Sequence, residues 1–283
     1  MILEILKTVL YGIVEGITEW LPISSTGHII LLNDFIPLNI SETFYDLFEI
    51  VIQLGAIMAV IVLFFHKLNP FSPKKDQKQK KDTWSLWFKV VVAVLPSAII
   101  GLLLDERLDN FLRSVTILGT SLNTVMVAAA LILYGVAFIL MERRSKGKTF
   151  RIQSTNEISY KTALLIGAFQ VLSIIPGTSR SGATILGAIL LGVSRSAGAE
   201  FSFFLASPTM VGASGLKLVK FLTESALGGT EILLLAVGCL VSFLTSLLVI
   251  KSLMEYVRKH SFAAFGVYRI ILGAVVLLYF LLK

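Results

Sequence analysis

The stretch YGIVEGITEWLPISSTGH, residues 11–28, decides how this chain can fold. It places two carboxylates, Glu15 and Glu19, in an apolar segment, and Pro22 interrupts that segment before it is long enough to cross a bilayer. Irregular backbone at membrane depth persists only inside a protein or against a water-filled cavity. The region 8–36 is therefore predicted to be a re-entrant helix–loop–helix hairpin.

A second interrupted region reads IGAFQVLSIIPGTSRSGA and covers residues 166–183. Pro176 breaks this region, and Arg180 follows the break where the first region has no charge. Neither half is long enough to span a bilayer. By the same reasoning, residues 162–194 are predicted to form a second re-entrant hairpin.

The two hairpin sequences resemble each other at an offset of 155 residues. The matching pairs are Gly12 with Gly167, Glu15 with Gln170, Ser24 with Ser179, and Gly27 with Gly182. Three predicted spans follow each hairpin, and because three is odd the second half must lie inverted in the membrane. Inverted repeats place their site near the midplane, between the broken helices. We expect a single membrane domain, residues 1–283, made of repeats at about 1–142 and 143–283.

The composition indicates a polytopic membrane protein. Hydrophobic residues make up 55% of the 283 residues and charged residues only 15%, whereas a soluble domain carries about 25% charged residues. This excludes a disordered chain, a nucleic-acid-binding domain and an ordinary soluble enzyme. The predicted fold is all-α, with two re-entrant hairpins and six transmembrane helices. The six predicted spans are 44–66, 85–105, 118–141, 197–219, 231–250 and 262–282.

The distribution of basic residues predicts the orientation. Fifteen Lys and Arg residues follow the first, third and fifth predicted spans, and six lie on the opposite side. The positive-inside rule places the larger set in the cytoplasm. Both termini are then predicted to face outward, with the first hairpin entering from outside and the second from the cytoplasm.

The glutamates of the first hairpin are candidates for metal binding or base catalysis. Glu15 and Glu19 are four residues apart and share one helix face. Carboxylates in apolar segments are costly and mark functional sites by default. Two like charges this close repel unless a cation neutralises them or one is protonated. A divalent cation that prefers oxygen ligands, Mg²⁺ or Ca²⁺, fits this pair.

The break after Pro22 carries hydroxyl groups and a histidine. Ser24, Ser25 and Thr26 can cap the following helix, and helix N-termini bind anions. His28 lies three residues after Ser25, so a Ser/His/Glu constellation with Glu19 is predicted.

The second break, PGTSRSGAT, predicts a phosphate site. Arg180 offers a planar fork of donors that suits phosphate oxygens. The hydroxyls of Thr178, Ser179 and Ser181 lie beside it and, with exposed N–H groups, complete an anion nest. An intramembrane arginine without a nearby acid in sequence needs an anionic partner. Either the glutamates of the first hairpin or a bound phosphate can serve, and a phosphate explains the adjacent hydroxyls better.

Four segments, EGITEWLPISSTGH, PGTSRSGAT, FEIVIQLGAIMAV and EFSFFLASPTM, resemble the bacterial undecaprenyl-pyrophosphate phosphatases, also called bacitracin-resistance proteins. The resemblance covers essentially the whole chain. The family's acidic motif falls on Glu15 and Glu19, its Ser and His on Ser25 and His28, and its Pro-Gly-x-Ser-Arg-Ser-x-x-Thr motif on residues 176–184.

The resemblance implies hydrolysis of a C55 polyprenyl diphosphate to the monophosphate in the bacterial plasma membrane. That reaction recycles the lipid carrier of cell-wall synthesis and confers bacitracin resistance. The expected catalytic residues are Glu15, Glu19, Ser25, His28 and Arg180. The residues expected to bind the substrate are Ser24, Thr26, Gly177, Thr178, Ser179, Ser181, Gly182 and Thr184.

Two questions stay open at the level of sequence. Either Ser25 attacks phosphorus with His28 as its base, or water attacks and His28 handles the proton. A polyprenyl-phosphate transporter or flippase is the alternative function, because inverted repeats suit alternating access; a pure carrier would need the arginine nest without the acidic and histidine groups. The site is predicted to open to the outer face, and a homodimer is left open.

Overall fold

The computed structural model describes residues 1–117, 120–224 and 226–282. These residues form eleven α-helices and one short β-hairpin, β1 at Thr116–Ile117 and β2 at Thr120–Ser121. The helices are α1 Ile2–Thr18, α2 Ser25–Phe35, α3 Glu42–Leu63, α4 Phe65–Leu68, α5 Gln77–Ser114, α6 Leu122–Ser145, α7 Tyr160–Val171, α8 Arg180–Leu190, α9 Arg195–Glu224, α10 Gly229–Lys259 and α11 Ala263–Leu282.

The prediction of an all-α polytopic membrane protein is confirmed. Within the described ranges, five helices are long and apolar enough to cross a membrane: α3, α6, α10, α11, and α5 over Gln77–Leu104. The predicted span 197–219 lies inside the 30-residue helix α9, which is not among these five. The predicted span 118–141 begins at two residues that lie outside the described ranges.

Helices from the two halves of the chain pack directly on each other. The backbones of α7 and α5 come so close that a Cβ on Gly167 would lie 2.0 Å from the Ala93 carbonyl oxygen. Helices α6 and α11 also approach closely, since a Cβ on Gly135 would lie 2.6 Å from the Gly266 carbonyl oxygen. Small residues at such crossings let helix backbones come close together. In a membrane this close packing stabilises helix association, because the hydrophobic effect does not.

The contacts of α1 and α2 show that the first hairpin returns to the end from which it starts. Gly12 faces Gly238 and Gly16 faces Ser242, so α1 runs parallel to α10. His28 contacts Tyr268 near the start of α11, and the Asp34 carboxylate accepts a hydrogen bond from Tyr279 near its end. Helix α2 therefore runs parallel to α11 and back toward the end of the molecule where α10 begins.

The second hairpin approaches from the other end. Gln170 donates to the Ser97 hydroxyl at 2.6 Å, three to four residues after the contact between Gly167 and Ala93, so α7 runs parallel to α5. Helix α8 then runs antiparallel to α9, because Thr184 contacts Ser202 while Ala188, later in α8, faces Gly198, earlier in α9. Helix α8 ends where α5 and α9 begin.

One end of the bundle gathers the basic segments 67–81, 143–161 and 251–259, and we call it the lysine-rich end. Lys67 pairs with Glu200 of α9 at 2.8 Å, and a cavity of about 610 Å³ at this end is lined by Glu200 together with Lys251 and Arg258 of α10. The segments that carry most of the positive charge thus lie on the same end of the fold.

Candidate functional site

The two breaks meet in the interior. The Arg180 Nη2 atom lies 3.1 Å from Glu19 Oε1, and both side chains are about nine-tenths buried. The Ser181 hydroxyl lies within hydrogen-bond distance of the backbone carbonyl oxygens of Glu19, at 3.1 Å, and Leu21, at 3.2 Å. The first turn of α8 therefore packs on the first break, and Glu19 and Arg180, which are far apart in sequence, become neighbours.

Both breaks use the same backbone conformation to start their second helix. Ser24 is the N-cap of α2 with φ 71°, and Ser179 is the N-cap of α8 with φ 70°. A non-glycine residue with positive φ in such a sparsely populated region costs about 1–3 kcal/mol. The Ser179 hydroxyl accepts a hydrogen bond from the Gly182 N–H at 3.1 Å, whereas the Ser24 hydroxyl is buried without a partner in the described structure.

Glu19 is the centre of the site. One carboxylate oxygen accepts from Arg180, and the other lies 3.1 Å from the Ser25 hydroxyl, which donates to it. Glu19 is 8% exposed, so these two contacts stabilise a carboxylate that has lost most of its hydration. The arrangement joins a hydroxyl, a base and a cation in one chain of hydrogen bonds.

Arg180 has a buried nitrogen, Nε, that is not used in the contacts with its neighbours. Its Nη1 donates to the Ser202 carbonyl oxygen at 2.9 Å and its Nη2 to Glu19, while its buried Nε has no partner in the described residues. The guanidinium lies 5.9 Å from the centre of the Trp20 ring. An unused buried donor on an otherwise fixed arginine suits the oxygen of a bound anion.

Glu15 lies one turn before Glu19 and is 2% exposed, with one carboxylate oxygen that has no partner in the described structure. That orphaned oxygen fits the predicted cation site. Among the residues that the structure describes, no group of three or more His, Cys, Asp or Glu residues could hold a metal by itself. A cation held by Glu15 and Glu19 would take its remaining ligands from substrate or water, as Mg²⁺ commonly does.

His28 is held away from Ser25 by two other contacts. Its Nδ1 lies 2.7 Å from the Ser24 carbonyl oxygen, and its Nε2 lies 2.7 Å from the Tyr268 hydroxyl. The rings of His28 and Tyr268 stack with centres 5.6 Å apart. In this geometry the hydrogen-bond partner of Ser25 is Glu19 rather than His28.

The other predicted substrate-binding residues divide into two groups. Thr26 is exposed and open to a ligand, whereas Thr178 is buried beside Tyr134 and next to the second break. Thr184 is fully buried and contacts the Arg180 carbonyl oxygen and the Ser202 hydroxyl, so it supports the start of α8 instead.

The two predicted glycines make close approach possible. Gly177 has φ +84°, and a Cβ there would lie 2.5 Å from the Val127 carbonyl oxygen. A Cβ on Gly182 would lie 3.0 Å from Nη1 of Arg269. Arg269 is fully buried against both breaks and is missing from the sequence-based site. An arginine inside the predicted span 262–282 is itself the signal that could have identified it.

The chain is similar to known proteins over nearly its whole length. The sequence profile described as "Bacitracin resistance protein BacA" matches residues 8–275. A protein named undecaprenyl-diphosphatase from Enterococcus faecalis (strain ATCC 700802 / V583) is 54% identical over 276 residues, 97% of each chain. Proteins of the same name from Limosilactobacillus fermentum and Lactiplantibacillus plantarum are 56% and 55% identical, each over 99% of both chains.

Proposed function

The chain belongs to the bacitracin resistance protein BacA family, and on this premise we propose that the centre between its two breaks is the active site of an undecaprenyl-diphosphatase. The activity itself follows from full-length relatives that share more than half of their residues with the chain. The observation that carries the assignment of the site is Glu19, which contacts both Ser25 and Arg180.

The substrate joins an apolar C55 chain to a diphosphate. Its tail belongs among the apolar faces of the long helices, and its head needs a polar centre reached from the bilayer. Phosphoryl transfer depends mainly on positioning and on neutralisation of charge. The free Nε of Arg180 and the N-terminus of α8 meet these demands, with Ser179 and Thr178 beside them.

We assign the nucleophile to Ser25. Its oxygen forms a bond to the terminal phosphorus while the bridging P–O bond breaks and undecaprenyl phosphate leaves with the electron pair. Glu19 takes the hydroxyl proton, because it already accepts the Ser25 hydrogen bond. Water then hydrolyses the phosphoserine and releases phosphate. Attack by water in the first step is the competing route, and it would leave no phosphoserine.

A divalent cation, Mg²⁺ or Ca²⁺, would be held by Glu15 and Glu19. When bound, it would offset the charge of the diphosphate and of the two carboxylates. Glu15 supports this assignment through its unpartnered buried oxygen.

The packing favours an inverted repeat with six spans, in which α9 is the sixth. The two hairpins return to opposite ends of the bundle, and the basic segments gather at one end. With the lysine-rich end in the cytoplasm, the first hairpin and both termini face outward, and the site opens to the outer face.

The function is tested by phosphate release from undecaprenyl diphosphate by the purified protein in detergent. Glu19→Gln should lower kcat by about 10³-fold, because the amide cannot take the Ser25 proton. Glu200→Gln is the matched control: it neutralises another paired carboxylate, at the lysine-rich end, and should release phosphate normally. Wild-type protein that binds the substrate but leaves the diphosphate intact would instead support a lipid transporter.

The same assay tests the cation and the nucleophile. Excess chelator should abolish release, and added Mg²⁺ or Ca²⁺ should restore it; full activity in chelator would leave Glu15 and Glu19 without a metal. Acid quenching during turnover should trap phosphate on Ser25. Its absence at single-turnover rates would assign the attack to water.

A further inference from the structure

Two adjacent residues of α11, Tyr268 and Arg269, contact the breaks, although neither lies in the sequence motifs. Arg269 is fully buried and reaches both breaks at once. Its Nη1 donates to the Pro22 carbonyl oxygen at 3.1 Å, and its Nη2 donates to the carbonyl oxygens of Gly177 at 2.9 Å and Thr178 at 3.0 Å. One guanidinium thus joins the irregular backbone of the first hairpin to that of the second.

These carbonyl groups need such a partner. The residues of a break have left the helical hydrogen-bond pattern, and a buried carbonyl without a donor is costly. Within the described part of the chain, no carboxylate pairs with Arg269, so its donors remain available to the backbone. A Cβ on Gly182 would lie 3.0 Å from the same guanidinium, which places a cation directly behind the start of α8.

Tyr268 fixes the second group. A carbonyl oxygen only accepts, so the 2.7 Å contact from Nδ1 of His28 to Ser24 O puts the hydrogen on Nδ1. In the neutral ring, Nε2 then accepts from the Tyr268 hydroxyl at 2.7 Å. A neutral histidine carries its hydrogen on one of the two ring nitrogens, and this pair of contacts selects the tautomer with the hydrogen on Nδ1.

We infer that Tyr268 and Arg269 are positioning residues for phosphoryl transfer: Arg269 sets the distance between the two breaks, and Tyr268 sets the tautomer and orientation of His28. The inference rests on the proposed function. Neither residue has to touch the phosphorus: Arg269 acts through the two backbones that carry Glu19 and Arg180, and Tyr268 acts through His28. Glu19 lies three residues before Pro22 and Arg180 two residues after Thr178, so a shift of one break relative to the other changes the Glu19–Arg180 contact.

The first experiment separates geometry from charge at Arg269. Arg269→Lys keeps the charge but cannot reach both breaks, so kcat should fall by about 10²-fold with KM little changed. Arg269→Met removes the charge as well and should also raise KM. Arg195→Lys is the matched control, because Arg195 is held by Glu142 at the lysine-rich end, away from the breaks. Normal kcat in folded Arg269→Lys protein would overturn the assignment of Arg269.

The second experiment measures the ¹⁵N NMR spectrum of the His28 imidazole. It tests the role of Tyr268 even where Arg269 variants do not fold. The chain has three histidines, so a His66→Gln, His260→Gln background leaves a single ¹⁵N-labelled imidazole. The spectrum should show hydrogen on Nδ1 and a hydrogen-bonded Nε2. Tyr268→Phe should shift Nε2 toward the value of an unbonded imine nitrogen and lower kcat about tenfold, the effect of one lost hydrogen bond.

Tyr279→Phe is the control for Tyr268→Phe. It removes a hydroxyl that also links α11 to α2, but at the far end of both helices, where Tyr279 contacts Asp34. It should leave the His28 spectrum and kcat unchanged. Hydrogen on Nε2 in the parent protein, or an identical spectrum in Tyr268→Phe, would overturn the assignment of Tyr268.

The failure of this inference is distinguishable from the failure of the proposed function. Parent protein that releases no phosphate refutes the function. Active parent protein whose Tyr268→Phe and Arg269→Lys variants keep their kcat refutes only the positioning roles.

Discussion

The first and second breaks have nearly the same backbone and opposite chemistry. Ser24 and Ser179, 155 residues apart, have φ angles of 71° and 70° and begin helices of eleven residues each. The first break follows a carboxylate, Glu19, whereas the second begins its helix with a cation, Arg180. The comparison teaches that a repeated backbone motif can contribute opposite charges to one buried centre, with a carboxylate from one copy and a guanidinium from the other.

The breaks also differ in how deeply they lie. Nine of the eleven residues of α8 are buried, but only Gly27 and Ile29 are buried in α2. Helix α8 is surrounded by protein and gives Arg180 a fixed frame, while α2 leaves Thr26 exposed. The first break is therefore the side from which a ligand can approach the centre.

The largest expected effect is an all-or-none difference in cysteine labelling between the two ends of the molecule. Single cysteines in a Cys239→Ser background, at the exposed positions Asn39 and Gln77, can be labelled with an impermeant thiol reagent on intact cells. The cysteine at 39, between α2 and α3, should react, and the one at 77, at the lysine-rich end, should be protected.

Permeabilised cells provide the control for that experiment, since both cysteines should then react. Labelling at 77 but not at 39 in intact cells would reverse the orientation. Labelling at both positions would place the two ends of the bundle on one side of the membrane and break the inverted arrangement.

A smaller effect is expected from exchanging the cation of the second break. Arg180→Lys keeps the charge, but it replaces the planar fork that reaches Ser202 O and Glu19 through two separate nitrogens with one compact ammonium group. Phosphate release should fall by about 10²-fold, as for the loss of one transition-state donor. Turnover close to normal would make Arg180 a counter-ion of Glu19 and leave the anion site to the hydroxyls.

Sequence reasoning predicts the motifs well and their contacts poorly. The Pro and Gly positions and the buried charges identify both breaks, because each violates the pattern of a simple apolar span. The pairing of Ser25 with Glu19 in place of His28 is not predictable from spacing alone. It depends on α11, which brings Tyr268 to His28 from 240 residues away.

The helix lengths show a similar limit. Helix α5 has 38 residues where hydropathy predicts only the span 85–105, because a capping box of Asp76 and Gln79 starts the helix in a charged segment. Helix α9 extends through Pro208 and is more polar than the five long apolar helices. Local capping and packing against neighbouring helices determine these bounds, and neither is visible in average hydropathy.

The smallest expected effect distinguishes the two cap serines. The Ser179 hydroxyl accepts from Gly182 N–H, and losing a cap of this kind costs about 1 kcal/mol. The Ser24 hydroxyl makes no cap bond, and burying it unpaired is itself unfavourable. Ser179→Ala should therefore lower the free energy of unfolding by about 1 kcal/mol more than Ser24→Ala does. Both variants place alanine at φ near 70°, so the conformational cost cancels in the difference.

SDS titration of the purified variants measures this difference in the free energy of unfolding, and equal losses would show that the two breaks are capped alike. Should Ser24 bind the substrate, Ser24→Ala would raise KM at unchanged stability, which separates its role from that of Ser179.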